Sequence, residues 1–417
     1  MADLIHSRRT CRLCDSPDLV CSVKLAEVPI VSPNVGTEKD PSGQRLTRIV
    51  APLDNYLCQK CGLNQLVHVV DPSLIYRDYL YRTSVSLGLP EHFRILAEAV
   101  IDRARLGDGE LVCEFGSNDG TLLGAFKARG ISVQGIDPAR QIAAEASSHG
   151  IPTLPEFFTK ALAERIRVDR GAARAILANN AMANIDDLAE ILAGVKALLA
   201  PNGIFVFETQ YALDVFEKTL LDVIYHEHLS TFSVRPVAGA FSRHGLTVFD
   251  AERIATKGGS IRFWCQLAGG PNPVTPRVAE LVTLEQRTGL YDLAYHQRFG
   301  DKVARITAEL HTRIATVRAG GGRVGAYGTS VGCAALIHQF RLEDKLDVLF
   351  DDTPFKDLLE GPGYSLPVMR SDGVYEVKPQ MIIVLAWRYA DLIIRKHAEY
   401  SKAGGSFVIP LPDLVVR

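Results

Sequence analysis

The sequence predicts an α/β protein: a small metal-clamped lobe at the N-terminus, followed by two parallel-sheet domains. Three observations carry this. Two Cys-x₂-Cys pairs, Cys11/Cys14 and Cys58/Cys61, stand near the start of the chain. Apolar segments of strand length then alternate with helical patterns, as in parallel sheets covered on both faces. Glycine-rich turns follow two of those segments, at Gly116 and over Gly325 to Gly328.

The cysteine spacing is specific. Each pair lets two thiolates of one tight turn meet a tetrahedral ion, and 43 residues separate the pairs, enough to fold back and bring them together. A structural Zn²⁺ is expected on Cys11, Cys14, Cys58 and Cys61. The other four cysteines are scattered among apolar segments, unlike a disulfide framework.

With 417 residues, of which 47% are hydrophobic and 23% charged, the chain has material for more than one core. A formal net charge of -2 and the lack of a Lys/Arg run argue against nucleic acid or an anionic bilayer as partner. No apolar stretch suits a signal peptide or a membrane span, so a cytoplasmic chain is expected. It is expected to be monomeric, since no coiled-coil seam is visible.

In chain order, a helical pattern over 90–106 leads to a buried strand at 111–115 and a turn at Gly116. A helix over 120–129, a strand at 131–137, a strand at 175–180, a helix at 187–200 and a strand at 203–208 follow. The segment 267–277 is rich in Gly and Pro and precedes a helical stretch over 277–319. A second set of strands lies at 322–329, 346–352, 381–386 and 406–410, with a helix over 331–340.

Open sheets bind ligands beyond the carboxyl ends of their strands. In the first sheet those ends carry Glu114, Gly116, Asn118, Asp119 and, after the second strand, Asp137. Gly116 permits close backbone approach, the carboxylates favour a cationic ligand over a bare pyrophosphate, and Asp137 suits ribose hydroxyls. S-adenosylmethionine meets all three conditions. In the second sheet, Gly325 to Gly328 with Asp351 outlines an alternative nicotinamide site, although the middle glycine of the dinucleotide pattern is missing.

Between the sheets lies Tyr225-His-Glu-His228. An imidazole titrates near neutrality and a neighbouring carboxylate can hold its tautomer, so His228 is the expected base, with Tyr225 and Glu227 beside it. On a helix, Tyr225 and His228 would share a face and Glu227 would point elsewhere; a turn would let all three converge. Lys257, Gly258, Gly259 and Arg262 suit either a phosphate or a plain hairpin. Tyr76, Tyr79 and their hydroxyl-bearing neighbours up to Ser86 suit either a polyol or a stacked core.

Taken together, these motifs resemble the C-methyltransferases that act on nucleotide-linked keto-deoxysugars. The resemblance runs over Cys11 to Cys14, Cys58 to Cys61, Tyr76 to Ser86, Glu114 to Thr121, Gly135 to Pro138, Phe205 to Glu208, Tyr225 to His228, Gly258 to Arg262, Gly325 to Gly328 and Leu385 to Ala390. It implies a zinc-binding domain over 1–75, a Rossmann-like S-adenosylmethionine domain over 76–255, and a Rossmann-like domain over 256–417 that helps to bind a nucleotide-linked keto sugar. Glu114, Gly116, Asn118 and Asp119 would line the methionine side, and Asp137 the ribose. Tyr225, Glu227 and His228 would face the sugar, with Tyr76 or Tyr79 closing the pocket and Asn184, Lys257, Arg262 and Tyr327 as further substrate contacts. The implied reaction is removal of a proton alpha to a C4 ketone and methylation of that carbon, usually C3. Asn184 departs from the pattern, because relatives carry a histidine there. Lys257 likewise stands before Gly258 and Gly259 where relatives often carry histidine. Two other classes compete: a nicotinamide-dependent sugar oxidoreductase using the second sheet, and a zinc-organised binding module without catalysis.

Overall fold

A computed structural model describes residues 4–30, 50–77, 79, 81–86, 88–353 and 366–417. The chain divides into two units: Met1–Val20, Tyr56–Leu213 and Glu227–Tyr291 form the first, and Cys21–Asn55, Asp214–His226 and Asp292–Arg417 the second.

The first unit is built on a seven-stranded sheet of β1 (Leu111–Phe115), β2 (Ser132–Ile136), β3 (Thr153–Leu154), β4 (Ala173–Asn179), β5 (Leu199–Gln210), β6 (Leu246–Ile254) and β7 (Ser260–Leu267). Their spatial order is β3-β2-β1-β4-β5-β7-β6. The first five are parallel, and β7 runs antiparallel to both β5 and β6. The boundary expected near residue 255 falls inside the β6–β7 hairpin, whose second strand pairs with β5.

Alternation along β5 explains its apolar sequence. Ile204 and Val206 join Trp264 and the helix Leu89–Ala104 in one core, through Phe93, Leu96 and Val100. Phe205 and Phe207 face the other way and stack on Phe241 of the helix Val234–Arg243, at centroid distances of 6.2 and 5.6 Å. A strand buried on both sides needs such a continuous run. The apolar run ends at Glu208, which is still buried and is met by His92 of the helix Leu89–Ala104 at 2.7 Å.

In the same unit, the strands Ile5–Ser7 and His68–Val70 pair antiparallel, and Asn64–Leu66 pairs with Ser230–Thr231. The latter pairing joins the cysteine lobe to the segment that follows His228.

The second unit carries β8 (Val324–Tyr327), β9 (Val348–Asp351), β10 (Val368–Arg370), β11 (Met381–Val384), β12 (Ser406–Ile409) and β13 (Val415–Val416), in the order β10-β9-β8-β11-β12-β13. All are parallel except β13. Its core includes Tyr327, Phe350, Ile382, Val384 and Phe407. The expected helical stretch over 277–319 is two helices, Pro276–Arg287 and Leu293–Ala319. The positive φ of Gly289 separates them, and the unit boundary falls in the same loop.

Candidate active site and metal centre

In the metal centre, the Sγ atoms of Cys11, Cys14, Cys58 and Cys61 all lie within 4.8 Å of one another. Cys11 and Cys61 are 3.5 Å apart, and Cys14 and Cys58 are 3.6 Å apart. A tetrahedral Zn²⁺ with bonds of about 2.3 Å requires sulfur separations of about 3.8 Å, so the donor set fits. In both turns the residue after the second cysteine has positive φ, Asp15 at 55° and Gly62 at 89°. At Gly62 a Cβ would also meet Tyr291 at 2.3 Å, so only glycine fits.

A group of buried acidic and polar side chains gathers at the ends of β1, β2 and β4. Glu114 is 2% exposed and accepts from Asn179 Nδ2 at 3.2 Å through one oxygen. Its Oε2 has no partner among the described residues, and neither have Asn179 Oδ1 and Ser117 Oγ. Burial pushes the Glu114 carboxyl well above its ordinary range. Buried polar atoms without partners are costly, and a cationic, hydroxyl-bearing ligand would satisfy them. Gly116 has φ 68°, and a Cβ there would approach the Ala181 side chain to 2.8 Å.

Asp137 accepts from the backbone N–H groups of Asn118 (2.8 Å) and Ala139 (2.9 Å). Burial raises its pKa in spite of these bonds. Each of its oxygens keeps a lone pair for a ribose hydroxyl. This set of buried carboxyls and unpartnered polar atoms fits S-adenosylmethionine.

Asn118 and Asp119 turn their side chains to a different task. Asn118 accepts from Thr83 N–H at 2.9 Å and donates to Tyr81 C=O at 2.9 Å. Asp119 accepts from Ser84 N–H at 2.9 Å and Thr121 N–H at 3.2 Å. Burial opposes the Asp119 carboxylate, but the bonds from Thr121 and Ser84 outweigh it and hold its pKa low. Arg82 pairs with Glu145 at 2.8 Å. The segment 81–84 is thus strapped across the ends of β1 and β2.

Tyr225 to Glu227 form a turn rather than a helix. Tyr79 donates to Glu227 Oε2 at 3.2 Å, and Tyr76 donates to the Glu227 carbonyl at 3.4 Å. Burial pushes the Glu227 carboxyl up to about 7, opposed by Tyr79 and by the charge of Lys257. Lys257 itself sits in the β6–β7 turn with φ 52°. His228 is half-buried, with the Gln210 amide nitrogen 3.0 Å from its Nε2 and 3.2 Å from its Nδ1. Asn184 ends a 3₁₀ turn after β4, and its buried Oδ1 has no partner among the described residues.

Arg262 has a role its sequence context did not suggest. The strand register places Glu208, Arg262 and Glu252 directly opposite one another on β5, β7 and β6. Arg262 Nε donates to Glu208 at 2.6 Å and its Nη1 to Glu252 at 3.2 Å, with the side chain only 9% exposed. It is a buried cross-strand ion pair, not an exposed phosphate ligand. His226 likewise is buried in the second unit, with its Nε2 3.1 Å from the Ala51 carbonyl. Tyr225 and Tyr327 also belong to the second unit. Tyr327 is buried, its hydroxyl 3.4 Å from His397 Nε2. Asp351 accepts from the Thr329 and Thr353 N–H groups, at 3.0 and 2.9 Å.

Sequence reasoning missed Gln210, Asn179 and His92, whose Nε2 lies 2.7 Å from Glu208. A signal was available for Gln210: it shares a strand face with Glu208 and follows the apolar run, at the end where ligands bind. His92 sits singly near the start of a helix and carried none.

Residues 11–76 match the family described as a zinc binding domain, 91–251 a methyltransferase domain, and 255–412 a C-methyltransferase C-terminal domain. C-methyltransferase NovU of Streptomyces niveus is 33% identical over 414 residues, which cover 99% of this chain and 98% of that protein. Among solved structures, magnesium protoporphyrin IX methyltransferase of Synechocystis PCC 6803 with bound S-adenosylhomocysteine is 12% identical, with TM-score 0.34 over 43% of this chain and 83% of its own. A methyltransferase from Clostridium acetobutylicum is 11% identical, with TM-score 0.35 over 43% of this chain and 92% of its own. The full-length relative and the three matched segments settle the family: the chain belongs to the S-adenosylmethionine-dependent C-methyltransferases with an N-terminal zinc-binding domain.

Proposed function

We propose that the acceptor is a nucleotide-linked 4-keto-deoxysugar and that C3 is the carbon methylated. The observation that carries this reading is the turn that sets His228 beside buried Glu227, with Tyr79 and Gln210 holding the two side chains. His228 removes the proton from the carbon next to the ketone, because delocalisation onto the carbonyl oxygen makes that carbon acidic. Tyr76 and Tyr79 anchor the turn, and Lys257 supplies positive charge near Glu227. The enolate carbon forms the new C–C bond to the methyl group as the S–CH3 bond breaks, its electron pair staying on sulfur to leave the neutral thioether S-adenosylhomocysteine, and the proton on His228 passes to solvent. When bound, S-adenosylmethionine supplies an activated methyl group on a sulfonium. Beyond that the protein must align the donor and acceptor, and alignment alone can account for much of the rate.

The test is turnover of zinc-replete protein with S-adenosylmethionine and a thymidine diphosphate 4-keto-6-deoxysugar carrying deuterium at C3. The expected result is gain of one methyl group with loss of that deuterium, abolished by His228→Gln. Methyl gain with the deuterium retained would place the methyl on the other alpha carbon, C5, or on an oxygen, and would refute the C3 assignment.

A further inference from the structure

One side chain of the first cysteine turn points away from the metal. Arg12, between Cys11 and Cys14, has a side chain that is 0% exposed. Its Nε donates to Asp186 Oδ1 at 2.8 Å, and its Nη1 donates to the Leu229 carbonyl at 3.1 Å and to the Leu66 carbonyl. The Arg12 backbone N–H donates to Gln65 Oε1 at 3.0 Å. Each acceptor has a telling neighbour. Leu229 directly follows His228, and Asp186 lies two residues after Asn184. Asp186 is held from the other side by Arg8 at 3.2 Å and His6 at 3.3 Å.

A buried charge of this kind is weak evidence for stability, because apolar side chains of similar volume often serve as well. What a guanidinium adds is a rigid planar fork whose donors fix several acceptors in one plane. The base of this fork is itself fixed. The turn that carries Arg12 is tied by Cys11 N–H to the Ser16 carbonyl and by Asp15 N–H to the Cys11 carbonyl, each at 2.9 Å, and is closed by the four-cysteine site.

We propose that Arg12 is a positioning residue, through which the zinc-bound turn sets the loops that carry His228 and Asn184. The inference rests on the reading of His228 as the base. Zinc thereby acts on methyl transfer at a distance and touches neither cofactor nor acceptor. Lysine cannot replace arginine here: a single ammonium can stand in for Nε at Asp186 or for Nη1 at the two carbonyls, but not for both at once.

The experiment compares Arg12→Lys and Asp186→Asn with the wild type, all as full-length zinc-loaded chains. Four quantities are read: zinc content, calorimetric affinity for S-adenosylhomocysteine, the His228 Hε1 resonance with its pH titration, and kcat against KM on the keto-sugar nucleotide. The resonance is assigned by its disappearance in His228→Gln. Zinc content and cofactor affinity should stay within about twofold of wild type. The His228 resonance should move, and kcat should fall about 10- to 100-fold, the usual consequence of misplacing a reacting group by about 1 Å. An unmoved resonance with kcat within about twofold would overturn the proposal. Should Arg12→Lys lose zinc, Asp186→Asn decides, since it lies outside the cysteine turn: a shifted resonance with zinc retained supports the proposal, and an unshifted one overturns it. Absence of wild-type turnover on any keto-sugar nucleotide would instead overturn the substrate reading, and the resonance would still decide the role of Arg12.

Discussion

Glu227→Gln should make the protein less sensitive to alkaline pH. Burial raises the Glu227 carboxyl from the ordinary 4.5 to about 7, more than Tyr79 and Lys257 lower it. For an acid whose folded pKa lies above its unfolded one, stability is greatest below 4.5. It declines as the unfolded chain, but not the folded one, gives up the proton, and it levels off above 7. At about 1.36 kcal/mol per pH unit, the ionised group costs the folded state about 3 kcal/mol at the plateau. About 2 kcal/mol of that develops between about pH 5.5 and 8.5. Glutamine keeps the shape and an acceptor for Tyr79 but cannot ionise. Urea unfolding of the zinc-loaded, cofactor-free protein across this range should therefore show the variant gaining about 2 kcal/mol on the wild type as pH rises. Parallel pH profiles for the two proteins would refute the reasoning, because they would mean that Glu227 titrates alike in the folded and unfolded chains.

Arg262→Leu should destabilise the protein by about 3 kcal/mol, since it leaves buried Glu208 with His92 as its remaining basic partner; chemical denaturation measures this, and adding Glu208→Gln should recover part of the loss. Asp137→Asn should weaken S-adenosylhomocysteine binding by about 10- to 100-fold in calorimetry, because a charged acceptor for ribose hydroxyls is lost. Cys58→Ser should abolish stoichiometric zinc and loosen the lobe that carries Arg12, visible as hydrogen exchange gained over Asn64–Leu66 and Ser230–Thr231; retained zinc would count against the four-cysteine site.

The motifs that act locally were legible in the chain. Cysteine spacing alone pointed to the metal centre, because two residues between thiols is a property of a single turn. The apolar runs at 111–115 and 203–208 marked strands buried on both faces, and Glu114, Gly116 and Asp137 were recognisable at strand ends because ligand sites follow from sheet topology. The β6–β7 hairpin was less legible. Its polar cross-strand row of Glu208, Arg262 and Glu252 interrupts the apolar alternation, so Arg262 reads as exposed until the register sets it between two carboxylates.

What depended on contacts between distant segments was decided only by the tertiary structure. The chain specified that Tyr225, His226, Glu227 and His228 are neighbours, but helix and turn were equally open to it. The turn is set by Tyr76, Tyr79, Gln210 and Leu66, which donates to the Leu229 carbonyl; all four residues lie outside the segment. Asn118 and Asp119 likewise look like ligand contacts in the sequence, and become anchors for residues 81–84 because that segment folds back over them. Arg12 reads as filler between two cysteines until Asp186 and Leu229 arrive around it. Spacing along a chain determines what a turn or a strand can hold; which side chains a buried charge finds is set by the packing of segments more than a hundred residues apart.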